Sequence, residues 1–408
     1  MLNWNFFPKR SYLFLIVLPV IFLLQCSENP VQLSDDQVID PVRQGTFVTD
    51  TLYADFDTTY AQPKPLSTLG ATRLLVGSFQ NFTLRPIVRF NFNPLKFKVQ
   101  SATIQFISRG VTGDFPQEFE VTAYPITQKW TDNTDSIWSQ YAPNIDFSRP
   151  IGRMTITTAP DDTLELALTD TSLLNFWADS VGAEQNFGFT LDFSSANFIK
   201  SFQSLDSLKV KFISAGDTVV KSESVTLFDA FLVEGQVPQV AGRDILATLK
   251  PRVAVLHFDV DTLLRKNPQG VIINSTNLEW GFDPSNTFVN SALQANFRIL
   301  KLTSDLTDPN FQIDSSFVQI PANAVAFSQF TEDSVHIEVK NGSSRAGFAQ
   351  RFVQEALRDS SGITGFLVEF INKKDFLSHF AFYRSNDPDP ANRPRLIVNY
   401  WIPPKPRL

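Results

Sequence analysis

From Phe47 onward, apolar and polar residues alternate along most of this chain, as in Ile87-Val88-Arg89-Phe90-Asn91-Phe92 and Ala102-Thr103-Ile104-Gln105-Phe106-Ile107. A period of two buries one face of a segment and wets the other, the signature of antiparallel strands. The pattern predicts strands over Phe47–Asp55, Arg73–Gly77, Pro86–Phe92, Val99–Ser108, Glu118–Ile126, Asp162–Leu168, Phe187–Phe193 and Leu208–Ser214, with more strand in Val219–Glu234. Helical spacing occurs at Ser172–Ser180, where Leu173, Leu174 and Trp177 share a side behind N-cap candidates at Thr169 to Ser172. A longer helix is expected at Arg345–Leu357.

The second half of the chain repeats the first in order. Arg89-Phe90-Asn91-Phe92 matches His257-Phe258-Asp259-Val260, and Ser101–Phe106 matches Ser275–Trp280. Phe119-Glu120-Val121 matches Phe297-Arg298-Ile299, Thr163–Leu168 matches Ser334–Val339, and Phe198–Phe202 matches Phe376–Phe380. The offset drifts as loop insertions between strands make it drift. Gly235 to Arg243 is the best boundary. Residues 47–235 and 244–402 therefore read as two tandem all-β, antiparallel, jelly-roll-like sandwiches, each with one short helix. The content of 39 Phe with 25 Pro and 17 Gly agrees, since aromatic residues favour strands and Pro and Gly favour turns.

The N-terminus follows a different pattern. Lys9 and Arg10 precede an apolar run, Tyr12–Leu24, too short to span a bilayer but suited to a signal peptide. The run ends in Leu23-Leu24-Gln25-Cys26, which resembles the lipobox where bacterial lipoproteins are cleaved and acylated. Residues 1–25 are read as the signal peptide, Cys26 as the lipid attachment point and 26–46 as a flexible tether. Cys26 is the one cysteine, so the chain has no disulfide. Ser27 follows it, with no inner-membrane retention signal, so the expected place is the cell envelope, the outer membrane before the inner. Losing Lys9 and Arg10 takes the net charge from −7 to −9, and an acidic chain without a basic stripe is a poor partner for nucleic acid.

The first repeat resembles a DNRLRE (disaggregatase-related) domain, a secreted module similar to a family of carbohydrate-binding modules. The matching pieces are Thr51-Leu52-Tyr53-Ala54-Asp55, Leu74–Gly77, Ile87–Phe90, Ser101–Ile104, Val121–Tyr124, Lys129-Trp130-Thr131-Asp132 with Trp138, and Asn186–Phe189. The second repeat carries the ending, Phe382-Tyr383-Arg384-Ser385 and Arg393-Pro394-Arg395-Leu396-Ile397-Val398-Asn399-Tyr400. The resemblance implies a sandwich that binds or is displayed, with polysaccharide as the ligand class.

No catalytic constellation stands out. His257, His336 and His379 lie far apart without metal-ligand spacing, no nucleophile elbow is present, and no cofactor motif occurs. Asp259-Val260-Asp261 and Asn386-Asp387-Pro388-Asp389 read as turns, with calcium binding as the alternative. Asp-Ser/Thr-apolar triplets such as Asp50-Thr51-Leu52 and Asp135-Ser136-Ile137 read as strand starts, with O-glycosylation as the alternative. Sugars stack on flat rings, which makes Trp130, Trp138, Tyr141 and Tyr383 the ligand-binding candidates, with Trp401 a weaker one. For Trp130 a place in the core competes with that role. Two functions stand side by side: polysaccharide binding or surface adhesion, and an assembly lipoprotein that contacts other envelope proteins.

Overall fold

The computed structural model describes residues 45–404 apart from 63–65, 91–97, 131–135, 158–162, 180–181, 195, 205–208, 215–220, 224–225, 290–296, 311, 314–326, 331–333, 339–352, 355–356, 359–364 and 372. Cys26, the expected signal peptide and most of the expected tether lie outside the described residues, as does most of the helix expected at 345–357.

In chain order the strands are β1 (Thr46–Tyr53), β2 (Phe56–Ala61), β3 (Arg73–Phe79), β4 (Phe82–Phe90), β5 (Val99–Gly113), β6 (Glu118–Pro125), β7 (Gly152–Thr157), β8 (Thr163–Leu168), β9 (Phe189–Asp192), β10 (Phe198–Gln203) and β11 (Lys209–Ser214). They continue as β12 (Lys221–Glu223), β13 (Thr226–Gly235), β14 (Arg243–Ala247), β15 (Arg252–His257), β16 (Ile272–Gly281), β17 (Phe297–Leu302), β18 (Phe327–Phe330), β19 (Ser334–Glu338), β20 (Gly365–Phe370), β21 (His379–Tyr383) and β22 (Arg395–Ile402). Among the described residues every ladder between these strands is antiparallel, so the fold is all-β as the alternation predicts. The expected first helix is present as Thr171–Ala178, capped by the Asp170 carboxylate, which accepts from the Leu173 N–H. Among the described residues two short α-helices are additional: Trp138–Tyr141, in a stretch read as loop, and Asp261–Lys266.

The strands build two bodies. In the first, sheet C runs β10-β3-β4-β9-β6-β7-β8-β5-β11-β12, with β13 beside β4, and a β10–β5 ladder closes it into a barrel-like ring. Closure depends on the fifteen-residue β5, whose first part pairs with β8 and β11 and whose last part pairs with β10. Where β3 crosses β10, Gly77 has φ +128°, and a Cβ there would lie 2.1 Å from the Phe198 carbonyl oxygen; glycine is required. The second body packs sheet A (β1-β22-β16-β19-β18) on sheet B (β17-β20-β15-β14-β21, with β2 beside β15). Its core explains much of the phenylalanine: Phe297, Phe370, Phe380 and Phe382 pack ring to ring, and Trp280 stacks on Phe382 at 4.2 Å. Each fully buried ring stabilises the fold by about 1.5–3 kcal/mol relative to exposure.

The sequence division placed β1 and β2 with the first sandwich, but their hydrogen bonds run to the second body. β1 pairs with β22 from Thr46↔Ile402 to Tyr53↔Arg395, and β2 pairs with β15. The start and end segments of the family-like pattern are thus neighbours in one sheet. The pairing itself is repeated. β4 pairs with β3, β9 and β13, while β15 pairs with β14, β20 and β2. β11 lies between β5 and β12, while β22 lies between β16 and β1. Even the register agrees: Phe228 faces Arg89 as Phe56 faces His257, the two positions that the sequence repeat aligns. β1–β11 are therefore followed by equivalents β12–β22, and the first two strands of each set sit on the body built by the other set. Backbone ladders carry no sequence information of their own, so like segments can exchange places when both bodies offer the same edge.

Candidate functional site

The aromatic candidates separate once burial is known. Trp130 and Tyr141 are buried, and the Trp130 indole N–H donates to the Phe187 carbonyl at 2.6 Å; both belong to a core with Ile87, Ile126 and Leu232 and meet no solute. Tyr383 is half-buried under the Arg243 guanidinium, 4.0 Å from its ring centre, with Asp283 and Asp387 beside the arginine. Trp138 is half-buried and becomes the centre of a surface patch.

That patch assembles from five elements. Arg85 on β4 donates through Nε to Asp192 on β9 at 2.6 Å and through Nη1 to Glu234 on β13 at 2.8 Å. Held by both carboxylates, its guanidinium lies 4.0 Å over the Trp138 ring. The short helix carrying Trp138 is pinned to β13, where the Val233 N–H donates to the Ser136 carbonyl at 2.7 Å and Ile137 bridges Val233. Phe147 stands edge-on to Trp138 at 6.2 Å and packs on Tyr124 at 5.2 Å. It is an exposed phenylalanine. The patch therefore offers a flat apolar ring beside fixed hydrogen-bond donors and acceptors. Sequence reading found Trp138 but missed Arg85, Asp192, Glu234 and Phe147. Arg85 was legible only as one polar position in an alternating strand.

The other polar candidates are accounted for locally. Asp387 accepts from the Asp389 N–H at 3.1 Å and Asp389 from the Ala391 N–H at 2.9 Å, which is the turn chemistry read there. Ser136 is buried against Thr68, so the Asp135-Ser136-Ile137 triplet presents no hydroxyl for modification, whereas Thr51 is exposed on β1. His257 pairs with Asp55, and His379 is buried, its pKa pushed down to about 4 by burial. Asp57 and Asp244 form a carboxyl pair, but Asp244 is fully buried and out of reach of a substrate. Among the described residues, no three His, Cys, Asp or Glu side chains gather to hold a metal ion, and no helix is long and apolar enough to cross a membrane. No protein-family model and no curated protein matches this sequence.

Proposed function

We propose that this chain is a lipid-anchored protein of the bacterial cell envelope whose first body holds a polysaccharide at the Arg85 patch. The pattern ending at Cys26 supports the anchor, and the resemblance to DNRLRE modules supports a display role. The observation that carries the ligand class is the arginine clamped by Asp192 and Glu234 beside Trp138 and the exposed Phe147. Arg85 covers one face of Trp138, so a sugar ring settles on Phe147, with its hydroxyls donating to the two carboxylates. The reading involves binding without bond cleavage.

Affinity electrophoresis of the chain from Ser27 onward in gels of neutral and acidic polysaccharides tests it. At least one glycan should retard the protein, and Phe147→Ala should weaken that retardation about tenfold at unchanged thermal stability. Trp130→Ala should instead lower stability, because that ring fills a core. Absence of retardation on every glycan would sink the proposal and leave the protein-partner role.

A further inference from the structure

The described chain begins at Gly45, and its first strand, β1, is an outer strand of sheet A. Register sets Phe47 opposite Trp401 and Trp401 opposite Ile272, so three apolar side chains from adjacent strands form one file across the sheet. Their strand neighbours Tyr400 and Ile273 are buried, so by alternation the file points away from the core. Phe47 is 76 % exposed and Ile272 51 % exposed, and Trp401 is half-buried. The next file, Thr49–Asn399–Ser275, is uncharged and satisfied within itself: Thr49 donates to Asn399 at 2.6 Å and Asn399 donates to Ser275 at 2.9 Å. A phenylalanine this exposed, aligned with two further apolar residues, marks a surface that something covers.

The position of the file selects its occupant. The Gly45 backbone lies against the Trp401 indole, where a Cβ would fall 2.1 Å from the ring. The chain between Cys26 and Gly45 therefore joins the fold at this file. Nineteen residues, 26–44, separate Cys26 from Gly45, and a flexible chain of that length spans about 25 Å, which would put a bilayer holding Cys26 within reach. Trp, Phe and Ile are side chains that settle at the boundary between headgroups and acyl chains.

We propose that the Phe47–Trp401–Ile272 file is a membrane-contact surface, inserting into the interfacial layer of the phospholipid bilayer to which Cys26 ties the chain. It rests on the reading of Cys26 as the anchor point. Because the file and its neighbouring file are uncharged, the contact is apolar and indifferent to headgroup charge.

The test attaches the chain from Cys26 onward, through that one cysteine, to a maleimide phospholipid in phosphatidylcholine vesicles containing acyl-brominated lipid. Part of the tryptophan emission should be quenched. The quenched part should vanish in Trp401→Phe and fall severalfold in Phe47→Ser and in Ile272→Ser, with thermal unfolding unchanged. It should persist at high salt and be equal on phosphatidylglycerol. Emission indifferent to the bromine overturns the proposal, as does quenching that needs anionic lipid, or protection of Trp401 by a soluble polysaccharide in the absence of quenching. The attachment is chemical, so none of these outcomes depends on cellular acylation of Cys26; mass spectrometry of the native protein tests that separately.

Discussion

Asp244 shows how far one buried position can set a pH response. Burial, reinforced by the neighbouring Asp57 carboxyl, pushes its pKa up to about 8, against the pull of Arg384 and Arg252. Unfolded, the same group ionises near its ordinary 3.8. Between those values the folded state holds a proton that the unfolded state has lost, so stability falls as pH rises through that window. His379 has the opposite slope. Burial holds it down at about 4, so it protonates first in the unfolded chain, and stability is lost as pH falls from 6.5 toward 4. Asp244→Asn should therefore raise the melting temperature by a few degrees near neutrality and change nothing below the ordinary carboxylate range. Scanning calorimetry across pH checks it; equal shifts at both ends would mean that Asp244 is ionised in the fold. Nothing in the local pattern around Asp244 signals this. Asp244 is one of 42 acidic residues, and its partner Asp57 lies on a strand far away in the chain.

For the elements, alternation found the strands and missed their partners. Arg73–Gly77, Val99–Ser108 and Glu118–Ile126 all fall on observed strands, because the period of two records which face is buried. It does not record which neighbour supplies the hydrogen bonds. β1 carries Leu52 into the core of the second body, among Leu396, Val398 and Leu278, although the first body is closer in sequence. Leu52→Ala should cost about 2–5 kcal/mol, as core truncations do. Amide exchange should quicken more on β16 and β22 than on β4 and β9. Faster exchange on β4 instead would place β1 with the first body.

Between the two bodies lies a third apolar cluster. Leu75, Leu84, Ile199, Phe231 and Val233 of the first body are buried together with Leu249 and Leu377 of the second, and Phe79 meets Phe288 at 5.0 Å. Around it, Thr72 donates through its N–H and hydroxyl to Asp375, and Lys374 donates to the Leu69 carbonyl. A buried interface of this kind couples unfolding of its two sides. The intact chain should melt in a single calorimetric transition, and Leu377→Asp, which places an unpaired charge in the cluster, should split it in two. A variant that still melts once, near the original temperature, would show that the bodies are held together elsewhere. The interface also sets the two proposed surfaces apart: the second body carries β1 and the Phe47–Trp401–Ile272 file, while the first carries the Arg85 patch.

Local pattern determined the strand-rich class, the Thr171–Ala178 helix, the repeated strand order and the apolar run Tyr12–Leu24, since each follows from residues within a few positions of one another. Tertiary structure alone decided that leading strand pairs cross to the other body, that Arg85 meets Asp192, Glu234 and Trp138, and that Phe47, Trp401 and Ile272 fall in one file. Those outcomes depend on strand pairing between distant segments. Backbone hydrogen bonds there are alike for every residue, and packing of the two faces chooses the partner.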